Sequence, residues 1–154
     1  MIGWRVGWVA GPAETVEDAG WAHVYNTTAP VQIARAAAAA VLRGQQTHVG
    51  ECVKELERRR DALLGGLPGW PFVKPGGGWS LLLDVAELGL DAPTASRLLL
   101  EESAIAATAM VGWGGLVADR HVRFVFSAEP VDRIETIPDR LARGTLAAGV
   151  AKRS

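Results

Sequence analysis

The 154-residue chain is short of several residue types, and each shortage narrows what it can do. It has one cysteine, Cys52, so no disulfide can form within it, which fits a reducing cytoplasm. His23, His48 and His121 show no metal-ligand spacing with one another or with Cys52, so no metal site is expected. A net charge of −1 leaves no basic footprint for nucleic acid or an anionic membrane. The longest apolar run, Ala36 to Leu42, is too short to cross a bilayer. The N-terminus lacks the basic region of a signal peptide, and Arg5 interrupts its apolar stretch. Lysine is the scarcest charged residue and occurs only as Lys54, Lys74 and Lys152. These absences describe a cytoplasmic protein with neither nucleic-acid nor membrane partners.

What is present is globular: 49% of residues are hydrophobic and 21% charged. Residues 4–9 alternate, Trp4, Val6 and Trp8 against Arg5, Gly7 and Val9, which predicts a strand closed by Gly11-Pro12. Residues 13–22 predict a polar turn or short helix, and Thr27 to Pro30 a helix entrance with proline in the first turn. The alanine-rich run Ile33 to Arg43 predicts a helix broken at Gly44, followed by a second from about Gln46 to Leu64. Trp79 to Val85 predicts a strand covered on both faces, residues 93–102 a helix with Leu98 to Leu100 toward the core, and 104–108 a weak strand. His121 to Ser127 gives the clearest alternation, with Val122, Phe124 and Phe126 on one face and His121, Arg123, Val125 and Ser127 on the other. Pro130 to Arg143 predicts a closing helix, and Ala147 to Ser154 a frayed tail.

Two arginines carry the candidate chemistry. Arg5 lies between Gly3 and Gly7, where the backbone can approach a ligand closely, and its guanidinium suits bidentate capture of a phosphate; a surface ion pair is the alternative. Arg123 points away from the apolar side of its strand and offers a fork for a carboxylate, against the alternative of an exposed arginine on a half-buried sheet. Gly76-Gly77-Gly78 is no phosphate loop, since no Gly-Lys-Ser/Thr follows and a strand comes next. Most of the tryptophans read as core filler, although Trp4 or Trp113 could line a pocket.

Gly3-Trp4-Arg5-Val6-Gly7 resembles the strand that follows the Ser-x-x-Lys motif in class I/II, fold-type I, pyridoxal-phosphate-dependent aminotransferases. His121-Val122-Arg123-Phe124-Val125-Phe126 resembles the x-Val-Arg-x-x-Phe strand near their C-terminus. Tyr25-Asn26 through Gln32, Arg59-Arg60-Asp61 and Pro75-Gly76-Gly77-Gly78-Trp79 match further family segments in the same order. At Gly112-Trp113-Gly114 the family usually has Pro-Gly-x-x-Phe-Gly, and here Ala109 replaces the proline.

The resemblance implies an α/β fold comprising the C-terminal portion of a fold-type I enzyme. Residues 1–29 would be a remnant of the large cofactor-binding domain, 30–66 an interdomain helical arm and 67–154 the small C-terminal α/β domain. It implies a pyridoxal 5'-phosphate cofactor, with Arg5 on its phosphate and Arg123 on the substrate α-carboxylate. The full-length enzyme would be a homodimer acting on an amino acid and a 2-oxo acid. The Schiff-base lysine is expected upstream of Met1, so the chain would hold no catalytic residue and be inactive alone. Lys54 sits among Glu51, Glu55 and Glu57 on a solvated helix, Lys74 precedes a turn and Lys152 lies in the tail; none stands in a Ser-x-x-Lys context. A non-catalytic binding or dimerisation module, or part of a pyridoxal-phosphate lyase of the same fold, is the alternative.

Overall fold

Three helices open the chain: α1 (Ala13–Thr27), α2 (Gln32–Arg43) and α3 (Thr47–Gly65). This computed structural model describes residues 2–152, with only the backbone of Ile2, and the chain forms two compact units, Met1–Gly50 and Glu51–Ser154.

In the first unit the alanine run forms α2 as its propensity demands, and Gly44 ends it with its N–H on the carbonyls of Ala40 and Val41. The expected strand over residues 4–9 does not form. Ile2–Trp4 make a single 3-10 turn, Arg5 has a left-handed backbone with φ 49°, and the segment continues without regular structure to Gly11. Alternation specifies a strand only when a neighbour completes its ladder, and no strand among the described residues pairs with this segment. The expected short helix at 13–22 runs on to Thr27. Pro30 precedes the cap of α2 at Val31, so it stands outside the helix and not in its first turn. Among residues 3–50 only Ala34 is buried.

The second unit is an antiparallel sheet with helices packed on it. Its strands are β1 (Phe72–Val73), β2 (Ser80–Asp84), β3 (Thr108–Ala109) and β4 (His121–Val125), in spatial order β1-β2-β4-β3. Cross-strand pairs Leu81–Phe124 and Leu83–Val122 set one face of β2 and β4 into the core, and Phe72 meets Phe124 edge to face at 5.3 Å. The opposite face is only partly covered, since Leu82 is half-buried; β2 is not doubly covered as its apolar run suggests. Helix α4 (Ala92–Ser103) packs against the sheet through Ala95 and Leu99, while Leu100 turns outward, contrary to expectation. Asp91 caps α4 by accepting the Thr94 N–H at 2.8 Å, and Pro93 sits in the first turn. At its other end Arg140 donates to the carbonyls of Ser103 and Ala104.

A four-residue helix α5 (Leu116–Asp119) leads into β4. The expected closing helix is two pieces, α6 (Val131–Ile134) and α7 (Ile137–Leu141). Pro138 has no N–H to offer the Ile134 carbonyl and its ring crowds that position, so the chain breaks at Glu135 and Thr136. The tail is a helix, α8 (Thr145–Ala151), and is not frayed over its described residues; Arg153 and Ser154 lie outside them. Glu102 accepts from both the N–H and the hydroxyl of Thr145, at 2.6 and 2.9 Å, and Leu146 is buried in the core. These two contacts anchor the tail.

Candidate functional site

Arg123 occupies the middle of β4, with Leu82 of β2 on one side and Thr108 of β3 on the other. Neither neighbour carries charge. The Arg123 Nε is buried and has no hydrogen-bond partner, and none of the ion pairs among the described residues includes this guanidinium. Its guanidinium lies over the ring of Trp113, whose centre is 4.7 Å from the Arg123 Cζ. A buried N–H without an acceptor is uncommon and costs about 1–3 kcal/mol. A carboxylate, with two acceptor oxygens and a charge of the right sign, is the group that such a fork suits best.

Trp113 is held by a loop tied to β4 at both ends. Met110 N–H donates to the His121 carbonyl at 3.0 Å, Trp113 N–H to the Met110 carbonyl at 3.1 Å, and Gly112 N–H to Asp119 Oδ1 at 2.9 Å. Gly112 and Gly115 have φ of 79° and 73°, a region in which a side chain would be strained, and both tight turns depend on it. The alternation of His121 to Ser127 identifies Arg123 from the sequence alone. Its pairing with Trp113 depends on the loop closing back over the strand, for which the sequence carries only the glycines as a signal.

A second polar cluster, beside this one on β4, was not legible beforehand. Asp84 at the end of β2 is buried and receives Arg120 through two contacts, Nε to Oδ1 at 2.9 Å and Nη2 to Oδ2 at 2.7 Å. That bond raises the Arg120 pKa above its ordinary value. His121, placed by alternation on the polar face, is buried: Nδ1 lies 2.7 Å from the Val117 carbonyl and Nε2 3.8 Å from Asp84 Oδ2. A carbonyl only accepts, so Nδ1 carries the proton. This cluster satisfies itself, and so its role is to join β2, β4 and α5.

A cavity of about 160 Å³ lies among Leu63, Ile105, Phe126, Ile134, Arg133 and Arg140. Both arginines there are engaged, Arg133 with Glu129 at 3.2 Å and Arg140 with the end of α4. The Arg59-Arg60-Asp61 segment is likewise spent on local contacts. Arg59 donates to Glu55 at 2.7 Å and to the Ser127 carbonyl, and Arg60 pairs with Asp61 at 2.8 Å.

Arg5 lies in the first unit, exposed and in its left-handed turn, with Gly7 equally exposed. Trp4 is also exposed. Lys54, Lys74 and Lys152 are all exposed, and none stands in the enclosed setting of a lysine nucleophile. The residues present therefore do not by themselves make a site for pyridoxal phosphate.

Comparison with known proteins accounts for this combination. The family model described as aminotransferase class I and II matches residues 1–139. An aspartate aminotransferase of Pyrococcus abyssi is 32% identical over 147 residues, covering 93% of this chain and 37% of that protein. Aromatic-amino-acid aminotransferase 2 of Thermococcus litoralis is 31% identical over the same length, with the same two coverages. Among solved structures, an aromatic aminotransferase from Pyrococcus horikoshii superimposes with a TM-score of 0.81 at 29% identity, covering 99% of this chain and 40% of that one. The chain thus spans less than half the length of these relatives and has the fold of that portion. It belongs to the class I and II family of pyridoxal-phosphate-dependent aminotransferases.

Proposed function

We propose that the chain is the C-terminal portion of an aminotransferase that moves an amino group between an amino acid and a 2-oxo acid, and that Arg123 receives the substrate carboxylate. The observation that carries this reading is the Arg123 guanidinium itself, with a buried Nε lacking any acceptor, on an inner strand of the sheet. Arg5 is proposed as this chain's contribution to binding the cofactor phosphate. The organisation proposed is residues 1–29 from a large domain, 30–66 as an arm and 67–154 as a small domain, in an enzyme that works as a cytoplasmic homodimer. The Schiff-base lysine is supplied from outside these residues, because all three lysines are solvated and none follows a Ser-x-x-Lys pattern.

Two measurements test the reading. Pyridoxal phosphate added to the chain, followed by borohydride and peptide mass analysis, is expected to leave no single lysine modified. A specific reduced adduct on Lys54, Lys74 or Lys152 would overturn the assignment of the lysine elsewhere. Sequencing the nucleotides upstream of the Met1 codon separates an enzyme portion from a non-catalytic module. An in-frame Ser-x-x-Lys supports the first, and an interrupted frame supports the second.

A further inference from the structure

We infer that Trp113 is a positioning residue for Arg123: its ring lies against the guanidinium and fixes the plane in which the fork meets a carboxylate. This rests on the reading of Arg123 as a carboxylate receptor. Arginine is a long side chain with four rotatable bonds, and a fork must be held flat before both oxygens of a carboxylate can be met together. Hydrogen bonds to neighbours usually supply that restraint. Here they do not: Arg123 has no ion pair among the described residues and its Nε has no acceptor. Its strand neighbours Leu82 and Thr108 carry no carboxylate to hold it.

Among the described residues the aromatic face of Trp113, 4.7 Å from Cζ, supplies the restraint instead. A ring face restrains a guanidinium without using any of its donors, so the terminal N–H groups stay available to a ligand. The placement of the ring is built into the fold. Loop 110–119 is closed by the Gly112–Asp119 and Trp113–Met110 hydrogen bonds and fastened to β4 by the Met110–His121 bond and the His121 ring contact with Val117. Arg123 lies two residues further along that strand. The ring also displaces water from one face of the cation, which strengthens its attraction for a carboxylate. Trp113 is 60% exposed, so it contributes little to the core, and its substitution leaves the fold intact.

The test follows 3-phenylpropanoate binding to the 154-residue chain by NMR of the backbone amides of β4, which every variant retains. The Arg123 signal is expected to shift on titration. Trp113→Leu is expected to weaken binding about fivefold, which corresponds to the lower range of a cation–π contact. Trp113→Phe, which keeps a ring face, is expected to recover most of that loss and to keep the parent unfolding midpoint. Binding that disappears in Arg123→Gln but is unchanged in Trp113→Leu overturns this inference and leaves the carboxylate reading standing. Binding unaffected by Arg123→Gln, or no binding by the parent chain, overturns both. Equal weakening in the Leu and Phe variants also overturns the inference, because it removes the dependence on a ring face.

Discussion

Replacing Arg123 by methionine should make the chain more stable while abolishing carboxylate binding. Three contributions set the magnitude. Removing a buried Nε–H without an acceptor recovers about 1–3 kcal/mol. Losing the contact with Trp113 costs about 0.5–1 kcal/mol, the range for a cation–π pair at an exposed ring. Methionine covers the same strip of sheet as the aliphatic stem of arginine, so burial there is nearly unchanged. The net gain lies between about 0 and 2.5 kcal/mol. The assay is urea unfolding followed by circular dichroism, paired with hydrogen exchange of the β4 amides, which reports the sheet separately from the first unit. Slower exchange in β4 with a raised midpoint is expected. A variant that unfolds more easily, with faster β4 exchange, would show that the guanidinium supports the fold and would refute the reasoning.

Three further substitutions test the packing and the electrostatics. At Gly149 a Cβ would stand 3.0 Å from the Leu88 carbonyl oxygen and 3.1 Å from Leu88 Cβ, at a turn pinned by the Leu88–Val85 bond. Gly149→Ala should therefore destabilise α8 by about 1 kcal/mol, overpacking outweighing the helix-propensity gain. Gly20→Ala in α1, where nothing lies within 4 Å, should raise helicity instead, and equal signs in hydrogen exchange of the two helices would contradict the packing argument. Glu55, which accepts from Arg58 and then Arg59, has its pKa lowered from 4.5 to about 2. A depressed carboxylate pKa gives stability that is full above 4.5 and lost as pH falls toward 2, so Glu55→Gln should flatten the acid limb of a pH–midpoint curve. An unaltered acid limb would rule out the Glu55 ion pairs as contributors.

The second unit was largely readable because its signals are ones that burial enforces. Val122, Phe124 and Phe126 alternate and all three are buried, and Pro93 marks the first turn of α4. The misreadings there have local causes. Pro138 splits one expected helix into two, and the Glu102 contacts with Thr145 stabilise a tail whose composition alone gives no reason to expect order. The two-residue strand β1 is too short for any period to be counted. In the first unit a helix such as α2 needs only its own hydrogen bonds, and it formed as read. The segment 4–9 needs a partner strand for its backbone, and its alternation therefore specified a face with nothing to pair against among the described residues.

The contrast between two arginines three residues apart bears directly on function. Arg120 immediately precedes β4 and Arg123 lies at its middle, and the chain has 17 acidic residues, so carboxylates are not scarce. Arg120 receives one: Asp84 meets it through both oxygens. For Arg123 the cross-strand positions are Leu82 and Thr108, either of which could carry an acidic residue within reach of the strand. A structural arginine gains from such a partner. An arginine whose carboxylate arrives with a ligand must do without one, since an internal acid would occupy the fork and repel the substrate. The unpaired cation is then a stability cost kept for binding. That predicts a single substitution of decisive sign: Thr108→Glu, on an exposed edge position opposite Arg123, should stabilise the sheet and suppress 3-phenylpropanoate binding together. If binding persisted while β4 became more stable, Arg123 would not be the group that holds the carboxylate.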